Sequence, residues 1–215
     1  MLKNVKAVLF DLDGTLIDSM HIWKAIDIEF LGRFGYDLPP DLQKNIEGMS
    51  FHDTAVYFKT NFEIPLTLQE IMDTWNEMAF HKYTKEIGFK PGALEFIKYI
   101  KSMNLPTAIC TSNSRELTLA VADSLGFAPY FDEIITSGEV TNGKPAPDIY
   151  LEAANRLGVD PKDCFVFEDV VAGIKVGKNA GMRVCAMEDD FSKLTRAEKK
   201  KLADYYLDNY YPLLP

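Results

Sequence analysis

Short runs that are rich in Val, Ile, Phe and Cys recur along the chain and predict five buried strands. None of the runs alternates apolar with polar residues, which is typical of parallel strands covered on both faces. Segments with helical periodicity separate the runs, and several of these segments end at a glycine. The pattern predicts an α/β fold with a doubly wound, Rossmann-like core around a five-stranded parallel sheet. The predicted strands are residues 5–10, 107–111, 133–136, 164–167 and 183–187.

The residues between the first predicted strand and residue 89 show a different pattern. They have helical periodicity and no convincing strand, and about seventy residues are too many for a simple crossover connection. Ser50 with Asp53 three residues later resembles a capping box at the start of one helix. A lid over an active site is the natural use of such an insert. We predict an α/β core of residues 1–16 and 89–215 and an all-helical cap of residues 17–88.

The C-terminal tail is charged and rich in tyrosine. Thr195 with Glu198 forms a second capping-box pattern, ahead of an amphipathic stretch that continues to about Leu207. We expect a final helix over this stretch, docked on the core.

Charge and composition narrow the classes of function. The 215-residue chain carries a net charge of −9, which argues against nucleic acid as a partner because phosphate backbones recruit a surplus of lysine and arginine. The apolar runs are too short to span a bilayer, and the N-terminus lacks the apolar region of a signal peptide. A cytoplasmic location without membrane contact is therefore the default expectation. The three cysteines lie in apolar stretches and are expected to be reduced core residues.

Two aspartates follow the first predicted strand directly. Asp11 and Asp13 are two residues apart, so in an extended chain they point to the same side at a separation of about 6.6 Å. They leave the carboxyl end of a buried strand, where open α/β sheets bind their ligands. Like charges at that separation are costly unless a cation or a shared proton relieves them.

Three further groups fall where later strands should end. Ser112 and Asn113 follow the second strand, Lys144 follows the third, and Glu168 with Asp169 ends the fourth. Each group alone has an ordinary structural interpretation, as a helix cap, a solvated lysine or acids at a helix N-terminus. Together they would converge on one rim of the sheet. Such a set of hard oxygen ligands suits Mg²⁺ beside a site for an anion.

The order of these motifs closely resembles the haloacid dehalogenase superfamily of phosphotransferases. The resemblance rests on the stretches DLDGTLIDS, TSNS, KPAPDIY and FEDVVAGI, and it covers the chain to about Met187. It is strongest to the branch that contains β-phosphoglucomutase and small-molecule phosphatases with a helical cap. The resemblance implies a Mg²⁺-dependent phosphatase that hydrolyses a small phosphorylated metabolite through an aspartyl-phosphate intermediate.

The resemblance also implies a role for each acid of the first motif. Asp11 would attack phosphorus and ligate Mg²⁺. Asp13 would protonate the leaving alcohol and then activate water, with its backbone carbonyl on the metal. Such covalent catalysis divides one difficult step into two easier ones.

The remaining motif residues would bind the phosphoryl group and the metal. Ser112 and Lys144 would hold the transferred phosphoryl group, with Asn113 nearby. Asp169 would ligate Mg²⁺, with Glu168 as a direct or outer-shell partner. Lys144 and Mg²⁺ would supply the positive charge that the acidic chain otherwise lacks.

Three other functions compete with a phosphatase. Dehalogenases of the superfamily lack the second acid, so Asp13 disfavours that reaction. Sugar-phosphate mutases similar to β-phosphoglucomutase carry an arginine after a Gly-x-Ser in the cap, where this chain has Phe51; this favours water as the acceptor. A non-enzymatic phospho-binding module would require a missing catalytic group, and no motif is broken. His21, Phe51 and His52 are candidates for substrate specificity in the cap, and the oligomeric state stays open, a monomer being compatible with the sequence.

Overall fold

A six-stranded parallel sheet forms the centre of the computed structural model, which describes all of residues 1–215. The strand order is β3-β2-β1-β4-β5-β6, with the first strand in the middle. The prediction of a doubly wound α/β fold is confirmed, whereas the predicted number of five strands is wrong by one. The strands are β1 (Ala7–Phe10), β2 (Thr107–Thr111), β3 (Glu133–Thr136), β4 (Cys164–Glu168), β5 (Arg183–Met187) and β6 (Tyr205–Leu207).

Helices cover both faces of the sheet and form the long insert after β1. Within the insert lie α1 (Met20–Gly32), α2 (Leu42–Ile46), α3 (Phe51–Asn61) and α4 (Leu68–Lys85). The sheet is covered by α5 (Ala93–Ser102), α6 (Arg115–Ser124), α7 (Asp148–Arg156), α8 (Val171–Asn179) and α9 (Arg196–Leu202). None of the helices is long and apolar enough to cross a membrane.

The burial of both sheet faces explains the absence of polar alternation in the strands. In β1, Val8 and Phe10 pack into one hydrophobic cluster, and Ala7 and Leu9 pack into the cluster on the opposite face. All four side chains are fully buried. The three cysteines are likewise buried and form no disulfide.

The sixth strand replaces the end of the predicted C-terminal helix, which stops at Leu202. Two residues later the carboxylate of Asp204 accepts hydrogen bonds from the backbone N–H of Val184 at 2.8 Å and from Lys178 Nζ at 2.7 Å. These contacts hold the chain against β5, and the tyrosines that follow suit an extended strand better than a helix. The sequence beyond Leu202 has helical periodicity, but contacts with residues about twenty positions earlier in the chain make it a strand.

The second predicted capping box is also absent. Thr195 precedes α9, but its hydroxyl donates to the backbone carbonyl of Ser192 at 2.8 Å, and Glu198 pairs with Lys175 at 3.0 Å. The capping interaction predicted at α3 does form, since Ser50 Oγ accepts from the backbone N–H of Asp53 at 3.0 Å.

The two chain segments that link the insert to the core run side by side. Ile17 and Phe89 form an antiparallel bridge, and the backbone N–H of Lys90 donates to the carbonyl of Leu16 at 2.9 Å. The division into a core and a cap of residues 17–88 stays a prediction. We use the word cap below for these residues and the word core for the rest.

Candidate active site

The carboxyl ends of the central strands bring the predicted catalytic residues together around Lys144. Lys144 Nζ lies 2.7 Å from Asp11 Oδ1 and 2.5 Å from Glu168 Oε1, although these residues are distant in the chain. Asp11 follows β1, Glu168 ends the neighbouring β4, and the register of the two strands aligns Phe10 with Phe167. The parallel sheet therefore places both acids on the same rim, as the sequence predicts.

Burial and charge act in opposite directions on this ion pair. Burial raises the pKa of Asp11 to about 7, although the adjacent Lys144 ammonium opposes the shift. Burial would lower the pKa of Lys144, but the Asp11 and Glu168 carboxylates outweigh it and the pKa is raised. The lysine thus stays charged and supplies a permanent positive group to an otherwise acidic site.

Three carboxylates at this rim form a cluster that fits a divalent cation. Oxygen atoms of Asp11, Glu168 and Asp169 lie within 4.8 Å of one another. Asp169 Oδ1 accepts from Thr15 Oγ1 at 3.2 Å, whereas its buried Oδ2 has no hydrogen-bond partner. Burial and the nearby Asp11 raise the pKa of Asp169 well above its usual value. An unpaired buried carboxylate oxygen is costly, so the cluster has the chemistry of an Mg²⁺ site.

Glu168 differs from the other two acids because its oxygens are already engaged. Oε1 accepts from Lys144 and from Tyr150 OH at 2.9 Å, and Oε2 accepts from the backbone N–H of Asp169 at 3.1 Å. A Cβ added at Gly173 would lie 1.9 Å from Oε1, so only glycine leaves room for this carboxylate. This glycine belongs to the fourth motif, but its role was not predicted.

Gly14 allows the first and fourth motifs to approach each other. Its φ is +78°, and an added Cβ would lie 2.4 Å from Asp169 Oδ2. A side chain at this position would be strained by the backbone and would displace the acid.

Asp13 is held by donors from both the core and the cap. Its Oδ1 accepts from Ser19 Oγ at 2.6 Å and from Tyr83 OH, and its Oδ2 accepts from Asn113 Nδ2 at 3.3 Å. Tyr83 lies on α4, and burial together with Asp13 raises its pKa well above the usual value, so the phenol stays a donor. Ser19 precedes α1 but makes no capping hydrogen bond, and its hydroxyl orients Asp13. Tyr83 was not predicted because nothing local connects α4 with β1.

Ser112 presents a hydroxyl with no partner to the same space. Its Oγ is buried and makes no hydrogen bond, while its backbone carbonyl accepts from the N–H of Phe51 at 3.1 Å and from Ser137 Oγ at 3.2 Å. The side chain of Asn113, by contrast, is engaged with Asp13 and with the N–H of Ser114. Ser112 thus has free hydrogen-bonding capacity for a ligand.

A cavity of about 440 Å³ extends from these residues along the cap. Phe51 lines it, as do Trp23 and Trp75, which contact the Phe51 ring with centroid distances of 6.0 and 5.6 Å. His21 and His52 are exposed and do not line this cavity. Of the three cap residues suggested by the sequence, the structure brings only Phe51 to the site.

Lys199 reaches the site from the C-terminal helix. Although it lies in a run of charged residues, it is fully buried, and its Nζ donates to the carbonyls of Asp169 at 2.9 Å and Met187 at 3.0 Å and to Ser192 Oγ at 2.8 Å. It thereby holds the backbone of a predicted metal ligand. The sequence offers no signal for this role beyond the position of the lysine on the apolar side of α9.

Asp27 is a buried acid in the cap part of the cavity. It is 5% exposed, and its Oδ2 accepts from Gln43 Nε2 at 2.8 Å. Burial raises the pKa of Asp27 to about 7, although the Gln43 hydrogen bond opposes the shift.

Asp27→Asn should change how stability depends on pH. Because the folded pKa of about 7 exceeds the unfolded value of 3.8, the stabilising contribution of Asp27 is complete below the unfolded pKa and is lost as pH rises through 7. Between pH 5 and pH 8, wild type should lose on the order of 2 kcal/mol of unfolding free energy relative to the variant. Denaturant titrations at both pH values measure this. Asp73→Asn, which makes the same change in an exposed Asp–Gln pair of the cap, is the control, and equal pH dependence in all three proteins would contradict the prediction.

Known proteins that are similar in sequence to this chain include phosphatases, which agrees with the arrangement of acids and lysine at the rim of the sheet. Residues 5–181 match the haloacid dehalogenase-like hydrolase family. A bifunctional riboflavin kinase/FMN phosphatase of Arabidopsis thaliana is 34% identical over 86% of this chain, which spans only 49% of that protein. A probable pseudouridine-5'-phosphatase of Saccharomyces cerevisiae is 33% identical over 84% of this chain and 81% of its own length.

A solved structure shares the whole architecture. CbbY from Rhodobacter sphaeroides, in complex with phosphate, superposes with a TM-score of 0.87 at 24% identity and covers 97% of this chain and 96% of its own. This likeness shows the fold alone. The residues matched by the family, 5–181, include every motif residue from Asp11 to Asp169. This match confirms the resemblance seen in the sequence, and the chain belongs to the haloacid dehalogenase-like hydrolases.

Proposed function

We propose that the protein hydrolyses a small phosphate monoester with Mg²⁺ and that Asp11 is the nucleophile. One observation carries the proposal: Asp11 is buried beside Lys144 and within 4.8 Å of Asp169, whose Oδ2 has no partner. In this position the Asp11 carboxylate lies beside Lys144, whose charge can bind the phosphoryl group, and near Asp169, which can help to bind a metal. The names of the two relatives above, both phosphatases, support the same reaction class.

In the proposed first step, Asp11 attacks phosphorus and the bond to the leaving alcohol breaks. Since Oδ1 contacts Lys144, Oδ2 is the attacking atom, and the product is an acyl phosphate on Asp11. Asp13, oriented by Ser19 and Tyr83, gives its proton to the departing oxygen. Asp13 then takes a proton from water, which attacks the acyl phosphate and releases inorganic phosphate. Acid and base roles for one carboxyl in successive steps restore the starting state.

Lys144 and Ser112 would hold the phosphoryl group during both steps. The lysine is charged and buried, and the Ser112 hydroxyl has no partner within the protein. Phosphoryl transfer depends mainly on positioning and charge neutralisation, so two preformed donors serve both needs. Asn113 contributes indirectly, because its side chain holds Asp13.

Mg²⁺ would be held by the carboxylates of Asp11 and Asp169 and the backbone carbonyl of Asp13. When bound, it neutralises charge on the phosphoryl oxygens. We assign Glu168 an outer role, since its oxygens already bind Lys144, Tyr150 and backbone N–H groups.

The surroundings of Phe51 favour water over a sugar as the phosphoryl acceptor. The ring packs against Trp23 and Trp75, so an apolar cluster occupies the position where mutases similar to β-phosphoglucomutase carry a cation. Without that cation, the site has no charged cap group here to bind the second phosphate of a bisphosphorylated sugar in the reversed orientation that a mutase requires.

Phosphate release from p-nitrophenyl phosphate tests the proposal. We expect turnover with Mg²⁺ and none after EDTA treatment, with recovery when Mg²⁺ is returned. β-Glucose 1-phosphate, supplied with a trace of the 1,6-bisphosphate, should yield glucose and phosphate, not glucose 6-phosphate. Net isomerisation faster than hydrolysis would instead identify a mutase, and metal-independent turnover would contradict the proposed site.

A further inference from the structure

We propose that the cap end of the cavity binds a planar imide ring of the leaving group, as found in pyrimidinediones. The proposal rests on the phosphatase function above and names its substrate class. It concerns a set of residues that the phosphoryl chemistry does not use, Asp27, Gln43 and Trp75, which we call the cap subsite. The family match assigns no role to these residues.

The cap subsite lies too far from the reacting carboxylates for a small leaving group. Met20, at the start of α1, approaches to 3.2 Å from the Cβ position of Gly14 and lines the cavity beside Asp169. Asp27 lines the same cavity seven residues further on, which is about 10 Å along the helix axis. A two- or three-carbon phosphate would therefore end short of the subsite, whereas a ring joined to a phosphorylated sugar or polyol chain can reach it.

Aromatic contacts connect Trp75 with the residues that lie one turn before and one turn after Asp27 on α1. One turn after Asp27, Phe30 contacts the Trp75 ring at a centroid distance of 5.5 Å. One turn before Asp27, Trp23 contacts Phe51, which also contacts Trp75. The Trp75 ring thus lies over the face of α1 that carries Asp27.

The subsite offers one acceptor and one donor with unused capacity. The Asp27 carboxylate receives a hydrogen bond only from Gln43, and Trp75 Nε1 is buried with no acceptor. A buried N–H without a partner is unfavourable, and a ligand carbonyl would supply the missing acceptor. An imide presents an N–H beside a C=O, and this pair complements both groups at once.

The walls and charges of the cavity distinguish a ring from other leaving groups. Trp23 and Phe51 supply flat apolar surfaces, which suit stacking better than the hydroxyls of a polyol. The charged cap residues that line the cavity are three acids and one lysine, which disfavours a second phosphate. These residues are Asp27, Asp41, Glu47 and Lys44.

Uridine and cytidine 5'-monophosphates separate this proposal from the phosphatase proposal. At pH 8 the Asp27 carboxyl, whose pKa is about 7, is mostly ionised. Uracil then donates its N3–H to Asp27, whereas cytosine presents a bare N3, which the carboxylate repels. We expect kcat/KM for the uridine nucleotide to be at least about tenfold higher, the factor that one hydrogen bond of about 1.4 kcal/mol gives. Equal values for the two nucleotides, or a preference for hexitol phosphate over both, would overturn the inference. Absence of turnover with every ester, p-nitrophenyl phosphate included, would overturn the phosphatase proposal instead.

Asp27→Asn tests the residue assignment through the ratio of kcat/KM for the uridine nucleotide to kcat/KM for the cytidine nucleotide. This ratio does not depend on the active fraction of the sample. In this variant the oxygen of the new amide accepts from Gln43 and its NH₂ group points a donor at the ring, so the preference for uridine should fall at least about tenfold or reverse. Trp75→Phe, which keeps an aromatic ring and removes the N–H, should lower the ratio independently. Asp73→Asn, the exposed Asp–Gln pair, should leave the ratio at the wild-type value. A ratio unchanged in both subsite variants would refute the assignment.

Discussion

Asp11→Asn is expected to abolish turnover of p-nitrophenyl phosphate, with a loss of at least about 10⁴-fold, the size seen when a nucleophile is removed from a covalent mechanism. An amide of the same shape retains a hydrogen-bonding partner for Lys144, but it cannot form the acyl phosphate. Steady-state phosphate release with saturating Mg²⁺ measures the loss. Acid-quenched wild type should carry a phosphoryl group on the peptide that contains residue 11, and the variant should carry none.

The neighbouring Asp18 provides a matched control for this variant. It lies on the same segment but is exposed, and its side chain makes no hydrogen bond, so Asp18→Asn should keep wild-type turnover. Circular dichroism should show that both variants keep the fold. Undiminished turnover in Asp11→Asn, or a phosphorylated peptide elsewhere in the chain, would show that another residue attacks phosphorus.

The sheet and its reactive rim could be predicted because both depend on local features of the sequence. The strands of the inner sheet are short runs rich in apolar residues, and both faces of β1 are buried, so the absence of polar alternation carried the needed information. Parallel strands bring their carboxyl ends to one rim, and polar residues that follow those strands must therefore meet. Asp11, Lys144 and Glu168 meet for this reason, even though they lie far apart in the chain.

What the sequence could not indicate depends on contacts between distant segments. Tyr83 looks like one more apolar position of a cap helix, and only the packing of α4 onto the core brings its hydroxyl to Asp13. Lys199 stands in a charged run that is typical of a solvated helix face, yet it is buried beneath the Asp169 backbone. The β6 strand was missed because Asp204 ends the helix through its bonds to Lys178 and Val184.

Lys144→Met is expected to cost both activity and stability, because the lysine is the shared partner of two buried acids. Lys144 is 3% exposed, and it is paired with both Asp11 and Glu168. Removing the cation leaves these carboxylates close together in a buried site, and breaking a buried pair in this way typically costs about 3–5 kcal/mol of unfolding free energy. Loss of the donor to the phosphoryl group should also reduce turnover by about 10²–10³-fold.

Denaturant titration in EDTA measures the free energy of unfolding of Lys144→Met. Lys101→Met is the control, because it shows how much stability is lost when an exposed lysine is replaced. Lys101 forms an exposed ion pair with Asp132 at 2.6 Å, which should contribute at most about 1 kcal/mol. In Lys144→Met, Asp11 loses the cation that opposes the rise of its pKa on burial, so it binds a proton more readily and the stability deficit should shrink at pH 5.5 relative to pH 8. Mg²⁺ should restore part of the lost stability, because a cation at Asp11 and Asp169 replaces some of the missing positive charge. A Lys144→Met protein as stable as the control at both pH values would show that water, not the lysine, compensates these acids.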